Sequence, residues 1–375
     1  MSGKSWEDRF RARLPASVCL VVLCGILLAG LLPFRGPQNG VRWLGNQNGV
    51  RLSGHSTLWS SSSFGVLDGG SGDSCSIEIW LQPGLPRDSS ILLSFSNPEN
   101  PLELTLHEYR SLLIVETRVP GGWHPASVIG TEGVFHQGTQ VFVTISSGRH
   151  QTSTYVNGAL ARTFPGSRIG PDCAGRLVLG TSPTMDDSWR GQVRGLALYG
   201  AELTADQVRQ HYDTWTSGGS PAVSEGEEAV GIYLFNERSG DVVHNSLPTG
   251  INLEIPARYR LVHQLFLQPF WHEYKPTGSY WKDILINIVG FMPLGFFFYA
   301  YWSTVRPIRR AALLTTVLGF AVSLTIEVLQ SQIPTRDSGT TDLITNTLGT
   351  FLGVQLYGWS VARTLLARIY SARLS

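Results

Sequence analysis

Apolar residues fall into two regimes along this chain. Over residues 35–270 they come in short runs broken by Gly, Pro, Asn and Asp, and several runs alternate with period two. Residues 76–81 and 140–145 alternate in this way, and 91–95, 102–106, 112–115 and 176–180 are further strand candidates. Short strands at regular spacing, separated by turn residues, predict a β-sandwich over 50–215. Tyr155-Val-Asn157-Gly158 is a strand running into a tight turn, because Asn-Gly adopts positive φ at small cost. One helix is predicted over 204–214, with Thr204 as its cap and Asp206 and Gln207 in its first turn.

Elsewhere the apolar positions are continuous. Residues 16–33 carry no charge, and three more such stretches cover about 284–303, 311–330 and 342–360. Each approaches the ~20 residues that a helix needs to cross ~30 Å of hydrocarbon. The expected partition is therefore a tail (1–15), a first span (16–34), the sandwich (50–215), a linker (216–228) and extra strands docking on the sandwich (229–256). A juxtamembrane segment (257–281), a membrane region (282–362) and a second tail (363–375) follow. The first span is expected to be a retained anchor, since Leu31-Leu32-Pro33-Phe34-Arg35 lacks the small-x-small pattern of a cleavage site.

Charge sets the expected orientation. Lys4, Arg9, Arg11 and Arg13 precede the first span, Arg306, Arg309 and Arg310 fill one short loop, and Arg363, Arg368 and Arg373 follow the fourth span. Basic loops stay on the cytoplasmic side, so four crossings put both tails inside and the sandwich outside, at the plasma (inner) membrane. Trp281, Tyr280, Tyr299, Tyr301, Trp302, Tyr357 and Trp359 stand at span ends, where amphipathic rings favour the headgroup layer. A length of 375 residues fits two or three folding units. The 15% charged fraction lies below the roughly 25% of soluble domains, and a net charge of +1 gives no bias toward nucleic acid. Of four cysteines, Cys19 and Cys24 lie in the first span, while Cys75 and Cys173 could pair if the sandwich faces an oxidising compartment.

Ionisable and amide side chains inside spans are expensive, and here they cluster in two phrases. One is Asp283-Ile-Leu-Ile-Asn287-Ile-Val-Gly-Phe291-Met-Pro293-Leu-Gly295, and the other runs from Ile326 to Gly349. Glu327 and Gln330 are spaced i,i+3 and share a helix face, and Asp342 and Asn346 are i,i+4 on the opening turns of the next helix. Arg336 and Asp337 occupy the loop between them. Two readings stay open. Arg336 pairs with Glu327 or Asp342 and the amides lock the helices, or Arg336 holds a phosphate through its planar fork while the other side chains orient the ligand. Gly349 and Gly353 form a small-xxx-small patch that lets helices approach closely.

The phrases resemble the VanZ-like family through Asn287, Phe291, Pro293, Gly295, Glu327, Gln330, Pro334, Arg336, Asp342, Asn346 and Gly349. That resemblance implies a four-helix membrane domain first associated with resistance to glycopeptide antibiotics, with 16–33 as its first span and Leu32-Pro33-Phe34 as the exit. Cys75-Ser-Ile-Glu-Ile-Trp80, Val141-Phe-Val-Thr144, Thr154-Tyr-Val-Asn-Gly158 and Trp189-Arg-Gly191 through Tyr199 resemble a laminin-G/concanavalin A-like (jelly-roll) sandwich. The implied fold is a multi-domain protein, a four-helix transmembrane bundle with the sandwich inserted between its first and second spans.

The sandwich resemblance implies binding of glycan or protein, often with calcium. Asp68, Asp73, Asp186 and Asp187 could supply oxygen ligands, with turn residues as the alternative. Trp123 and Trp189 could stack on sugars, or be half-buried core residues. Asn287, Glu327, Gln330, Arg336, Asp337, Asp342 and Asn346 are the expected ligand-binding set in the membrane region. The expected partners are a membrane lipid or lipid-linked glycan, a surface polysaccharide and envelope-assembly proteins, with polysaccharide export or glycopeptide resistance as the role. An enzyme acting on a lipid-linked substrate and a protein-binding scaffold are the alternatives. No nucleophile–base pair, Gly-rich phosphate loop or His/Cys metal spacing supports catalysis.

Overall fold

The computed structural model describes residues 6–65, 73–84, 89–122, 124–218, 226–248, 250–274 and 277–359. The chain forms two compact units, one from Met1–Arg35 with Leu265–Ser375 and one from Gly36–Gln264. In chain order, helix α1 (Trp6–Leu31) is followed by β1 (Arg42–Trp43), β2 (Val50–Leu52), β3 (Leu58–Ser60), β4 (Cys75–Pro83) and β5 (Ser90–Ser96). Next come β6 (Leu104–Tyr109), β7 (Leu112–Thr117), β8 (Ser127–Thr131), β9 (Val141–Ser147), β10 (Gln151–Val156) and β11 (Ala159–Pro165). Then follow β12 (Arg176–Leu179), β13 (Gly191–Tyr199), α2 (Ala205–Thr216), β14 (Ala229–Tyr233), β15 (Val242–Val243) and β16 (Leu253–Glu254). Helices α3 (Phe270–Glu273), α4 (Gly278–Ala300), α5 (Ala311–Gln330) and α6 (Thr340–Gly358) complete the series.

The β-unit is an all-antiparallel sandwich of two sheets. One runs β1-β2-β13-β4-β9-β10-β11 with β14 also on β13, and the other runs β15-β16-β3-β12-β5-β6-β7-β8. Alternation explains the core: Ile77, Ile79 and Leu81 of β4 and Val143 and Ile145 of β9 meet Leu93, Phe95 and Leu106 from the other sheet, all in one buried cluster. The segment after α2 joins both layers. β14 pairs with Leu196–Tyr199 of β13, and β16 pairs with Ser60 and Trp59 of β3. Cys75 and Cys173 are disulfide-bonded inside this core, with their Cα atoms 6.5 Å apart.

Strand β4 is buried on both faces because α2 covers the outer one. Thr204 caps α2 in a reciprocal capping box with Gln207. Phe142, Tyr155, Tyr199, Val208 and Trp215 form the apolar contact beneath it. Within that contact lies a buried polar network. His211 Nδ1 is 3.1 Å from both carboxylate oxygens of Glu78, and its Nε2 is 3.2 Å from Glu227 Oε1. The Tyr199 hydroxyl donates to Glu78 Oε2 at 3.1 Å, and its ring stacks on the imidazole. Burial alone would lower the pKa of His211, but the hydrogen bonds and charges of Glu78 and Glu227 outweigh it and raise it.

In the helical unit, Phe291, Leu294, Val322 and Ile326 form a small core against Val22, Leu23, Ile26 and Leu27 of α1. Helices α4 and α6 touch backbone to backbone: a Cβ on Gly349 would stand 2.2 Å from Ile288 O, and one on Gly353 2.1 Å from Met292 O. Among the described residues two helices are long and apolar enough to cross a membrane, Gly278–Val305 and Ala311–Gln330, with Pro15–Leu31 apolar but shorter. The apolar character of α6 is diluted by Thr340, Thr341, Asp342, Thr345, Asn346, Thr347 and Thr350. Tyr357, on the last turn of α6, is 8% exposed and packs edge-on against Phe296 and Tyr299 of α4. Phe270, Trp271, Tyr274 and Trp281 are exposed near the start of α4. The basic tail at 363–373 and Lys4 lie outside the described residues.

Candidate functional site

The polar phrases converge where α5 ends, the following loop turns and α6 begins. Glu327 sits on the last turn of α5 and is 1% exposed. Its Oε2 accepts the backbone N–H of Gly339 at 2.9 Å, so it caps the start of α6 from a different helix. Glu273, from the juxtamembrane segment, accepts the N–H of Thr341 at 3.0 Å and caps the same end a second time. The segment before α3 is held there by its backbone, since Gln268 accepts the N–H of Thr340 at 2.9 Å and donates to Ser338 O at 2.9 Å. Carboxylates favour this end through the helix dipole as well as through these bonds.

The amides are spent between helices. Asn287 of α4 donates to Asp342 Oδ1 at 2.7 Å, and Asn346 donates to the Ser323 hydroxyl of α5 at 3.0 Å. Gln330 donates to the backbone carbonyl of Gly30 at 2.8 Å, tying α5 to α1. These bonds bring Asn287, Glu327, Asp342 and Asn346 into one polar seam. Asp337 is exposed in the loop and makes no bond to this seam.

Arg336 differs from the rest. Its guanidinium donates to the backbone carbonyl of Leu32. It lies near enough to act electrostatically on Asp342, yet among the described residues it forms no ion pair with Glu327 or Asp342. The pairing on which the purely helix-locking reading rested is therefore not made. Two buried acceptors of the seam, Glu327 Oε1 and Asn346 Oδ1, have no hydrogen-bond donor among the described residues. Sequence reasoning missed Glu273 and the carbonyls of Gly30 and Leu32. Backbone carbonyls carry no residue signature, and Glu273 reaches the seam from 68 residues away.

In the sandwich, one of the two tryptophans expected to stack on sugars lies in the core. Trp189 is 0% exposed and donates its indole N–H to Glu108, so neither face is open to a sugar. Burial raises the pKa of Glu108, against the lowering effect of that hydrogen bond. Trp123 and Asp68 lie outside the described residues. The described aspartates of the expected calcium set each have partners within the protein. Asp73 faces Arg149 at 3.0 Å and Arg168 at 3.9 Å. Asp186 pairs with His55 at 3.0 Å, and Asp187 sits in a turn where its N–H donates to Met185 O. Among the described residues no three acidic, His or Cys side chains are grouped as metal ligands would be.

Comparison with known proteins finds a counterpart for each part of the chain. Residues 44–209 match the family model described as the concanavalin A-like lectin/glucanases superfamily, and residues 230–362 match the VanZ/LLP1 model. The second match begins at β14 and does not reach α1. Protein VanZ of Enterococcus faecium is 31% identical over 84 residues, covering 22% of this chain and 48% of that protein. The chain thus spans about half the length of this curated relative. Among solved structures, a CBM40 domain of the Ruminococcus gnavus IT-sialidase, bound to alpha2,3 sialyllactose, is 14% identical with a TM-score of 0.34, over 44% of this chain and 96% of that one. A heptameric SAP-like pentraxin from Limulus polyphemus is 16% identical with a TM-score of 0.35, over 59% and 96%.

Proposed function

We propose that this chain, with its concanavalin A-like sandwich and its VanZ-like region, is a cell-envelope binding protein that spans the plasma membrane four times. Its sandwich contacts surface glycan on the extracytoplasmic side, and its polar seam holds the phosphate-bearing head of a lipid or lipid-linked glycan. The observation that carries this reading is the guanidinium of Arg336, which among the described residues takes one backbone carbonyl and stands outside ion-pair distance of any carboxylate. A charged fork engaged by no carboxylate at contact distance beside a membrane span suits a phosphate oxygen pair. The donor-less oxygens of Glu327 and Asn346 suit a ligand that brings hydroxyl groups, as the first sugar of a lipid-linked glycan would. The disulfide of the sandwich fits an oxidising, extracytoplasmic compartment, in keeping with the basic clusters at 4–13, 306–310 and 363–373. In this reading α1 is the first span and the sandwich an insertion between it and α4. Polysaccharide export and glycopeptide resistance are the cellular roles such a binder would serve.

Native mass spectrometry of the full-length protein released from mild detergent tests the seam. The expected result is a discrete phosphate-bearing lipid adduct, lost in Arg336→Ala and weakened in Asn346→Ala. Equal adducts in wild type and Arg336→Ala, or none in either, would overturn it. Consumption of the adduct over time, abolished by Glu327→Gln, would replace binding with catalysis.

A further inference from the structure

The outer face of the first sheet carries a second cation that forms no ion pair among the described residues. Strand β13 bulges against β4: Val193 pairs with Leu81 and Gly195 with Trp80, so Arg194 has no opposite residue. A bulge turns the extra side chain away from its alternating position, and such residues recur at binding sites. Here it lays the Arg194 guanidinium over the Trp80 ring, 5.6 Å from the centroid. Arg194 is 8% exposed, its Nε has no acceptor, and it makes no ion pair among the described residues.

Three neutral amides surround it instead. Arg194 donates to Gln47 Oε1 at 2.8 Å, Gln82 Oε1 at 3.2 Å and Gln192 Oε1 at 3.4 Å. A nearly buried cation normally demands an anion, because amide dipoles compensate only part of its lost hydration. Gln47 lies in the exposed β1–β2 loop, where an incoming acid can displace it.

The register extends the patch. Arg42 faces Arg51, Arg51 faces Gln192, and Gln192 faces Gln82, so the four form one row on the same face. Arg42 and Arg51 are exposed, and neither makes an ion pair among the described residues. Amides for hydroxyls and a line of cations form the chemistry of an acidic sugar chain.

We infer that the row Arg42–Arg51–Gln192–Gln82, with Arg194 and Trp80 beside it, binds an anionic glycan whose carboxylate or phosphate displaces Gln47 from Arg194. The inference rests on the reading of the sandwich as a glycan-binding module and names its site and ligand class. The test is binding of the full-length protein in mild detergent to immobilised oligogalacturonate, to its methyl-esterified counterpart and to poly(glycerol phosphate). Two variants accompany it. Arg194→Gln removes the charge. Gln47→Glu supplies an internal carboxylate to Arg194, which blocks the site while keeping the fold.

The expected result is binding to an acidic polymer and not to the ester, with both variants about tenfold or more weaker, as the loss of a charge-assisted bond requires. Which acidic polymer binds separates carboxylate from phosphate. Equal binding of ester and acid would overturn the inference and leave glycan binding standing. Undiminished acid binding by Gln47→Glu would also overturn it. Binding to none of the three would remove both the inference and the glycan reading of the sandwich.

Discussion

Replacing His211 with Leu should destabilise the sandwich severely. Glu78 and Glu227 are 0% and 1% exposed, and the imidazole faces both through its two ring nitrogens. A carboxyl group faces each ring nitrogen, and the raised pKa of His211 favours its doubly protonated form between them. Leu keeps most of the volume but removes the shared partner of two buried carboxyl groups. Glu78 retains the Tyr199 and Thr144 hydroxyls, and Glu227 the amide of Gln207, so neither is fully orphaned. Breaking one partner out of a buried ion pair costs about 3–5 kcal/mol. For a unit of this size each kcal/mol moves the midpoint by about 2–4 °C, which gives a fall of roughly 6–20 °C.

The pH dependence has a definite sign. The folded pKa of His211 is raised, so its contribution is complete below the unfolded value of about 6.5 and is lost as pH rises through the folded value. Thermal unfolding of the full-length protein in detergent, followed by near-ultraviolet circular dichroism from pH 6 to 9, measures both effects. Wild type should lose stability as pH rises above about 6.5, and His211→Leu should lack that slope. A variant within about 1 kcal/mol of wild type, or the same slope in both, would show that the bridge is not an ion triad.

Two further outcomes test the packing. Cys75→Ser with Cys173→Ser should cost about 2–5 kcal/mol, because the bond closes a loop with a sequence separation of 98, and reduction of wild type should lower its melting midpoint to match. Gly353→Val should push α4 from α6, since its Cβ would meet Met292 O at 2.1 Å. Loss of monodispersity on size exclusion is the expected reading, with Leu352→Ala, at an exposed position of the same helix, as the control that leaves the contact intact.

Much of the architecture could be read from the chain because burial on one face imposes alternation, as in β7, or a continuous apolar run, as in α5. Period alone does not say which outer faces are covered. By alternation Ser76 and Glu78 of β4 would face solvent, yet both are buried under α2 and its connections. The polar seam was legible where its members lie at i,i+3 or i,i+4 spacing or in one loop. Its closure was not, because Gln330 and Arg336 find carbonyls 300 and 304 residues away. Arg194 was invisible for another reason: a bulge has no signature in the alternating pattern until the partner strand is known.

The pairing of β14 and β16 with opposite sheets also sets an order of events during synthesis. A chain released as far as residue 209, the end of the concanavalin A-like match, lacks an edge on each layer. Phe235, Val243 and Leu253, all fully buried in the core, have then still to arrive. The sandwich closes only after residue 254 has emerged, shortly before the apolar run of α4 begins at Gly278. A chain stalled before residue 254 would thus expose both an open sandwich core and an α1 whose packing partners in α4 and α5 have not yet been made.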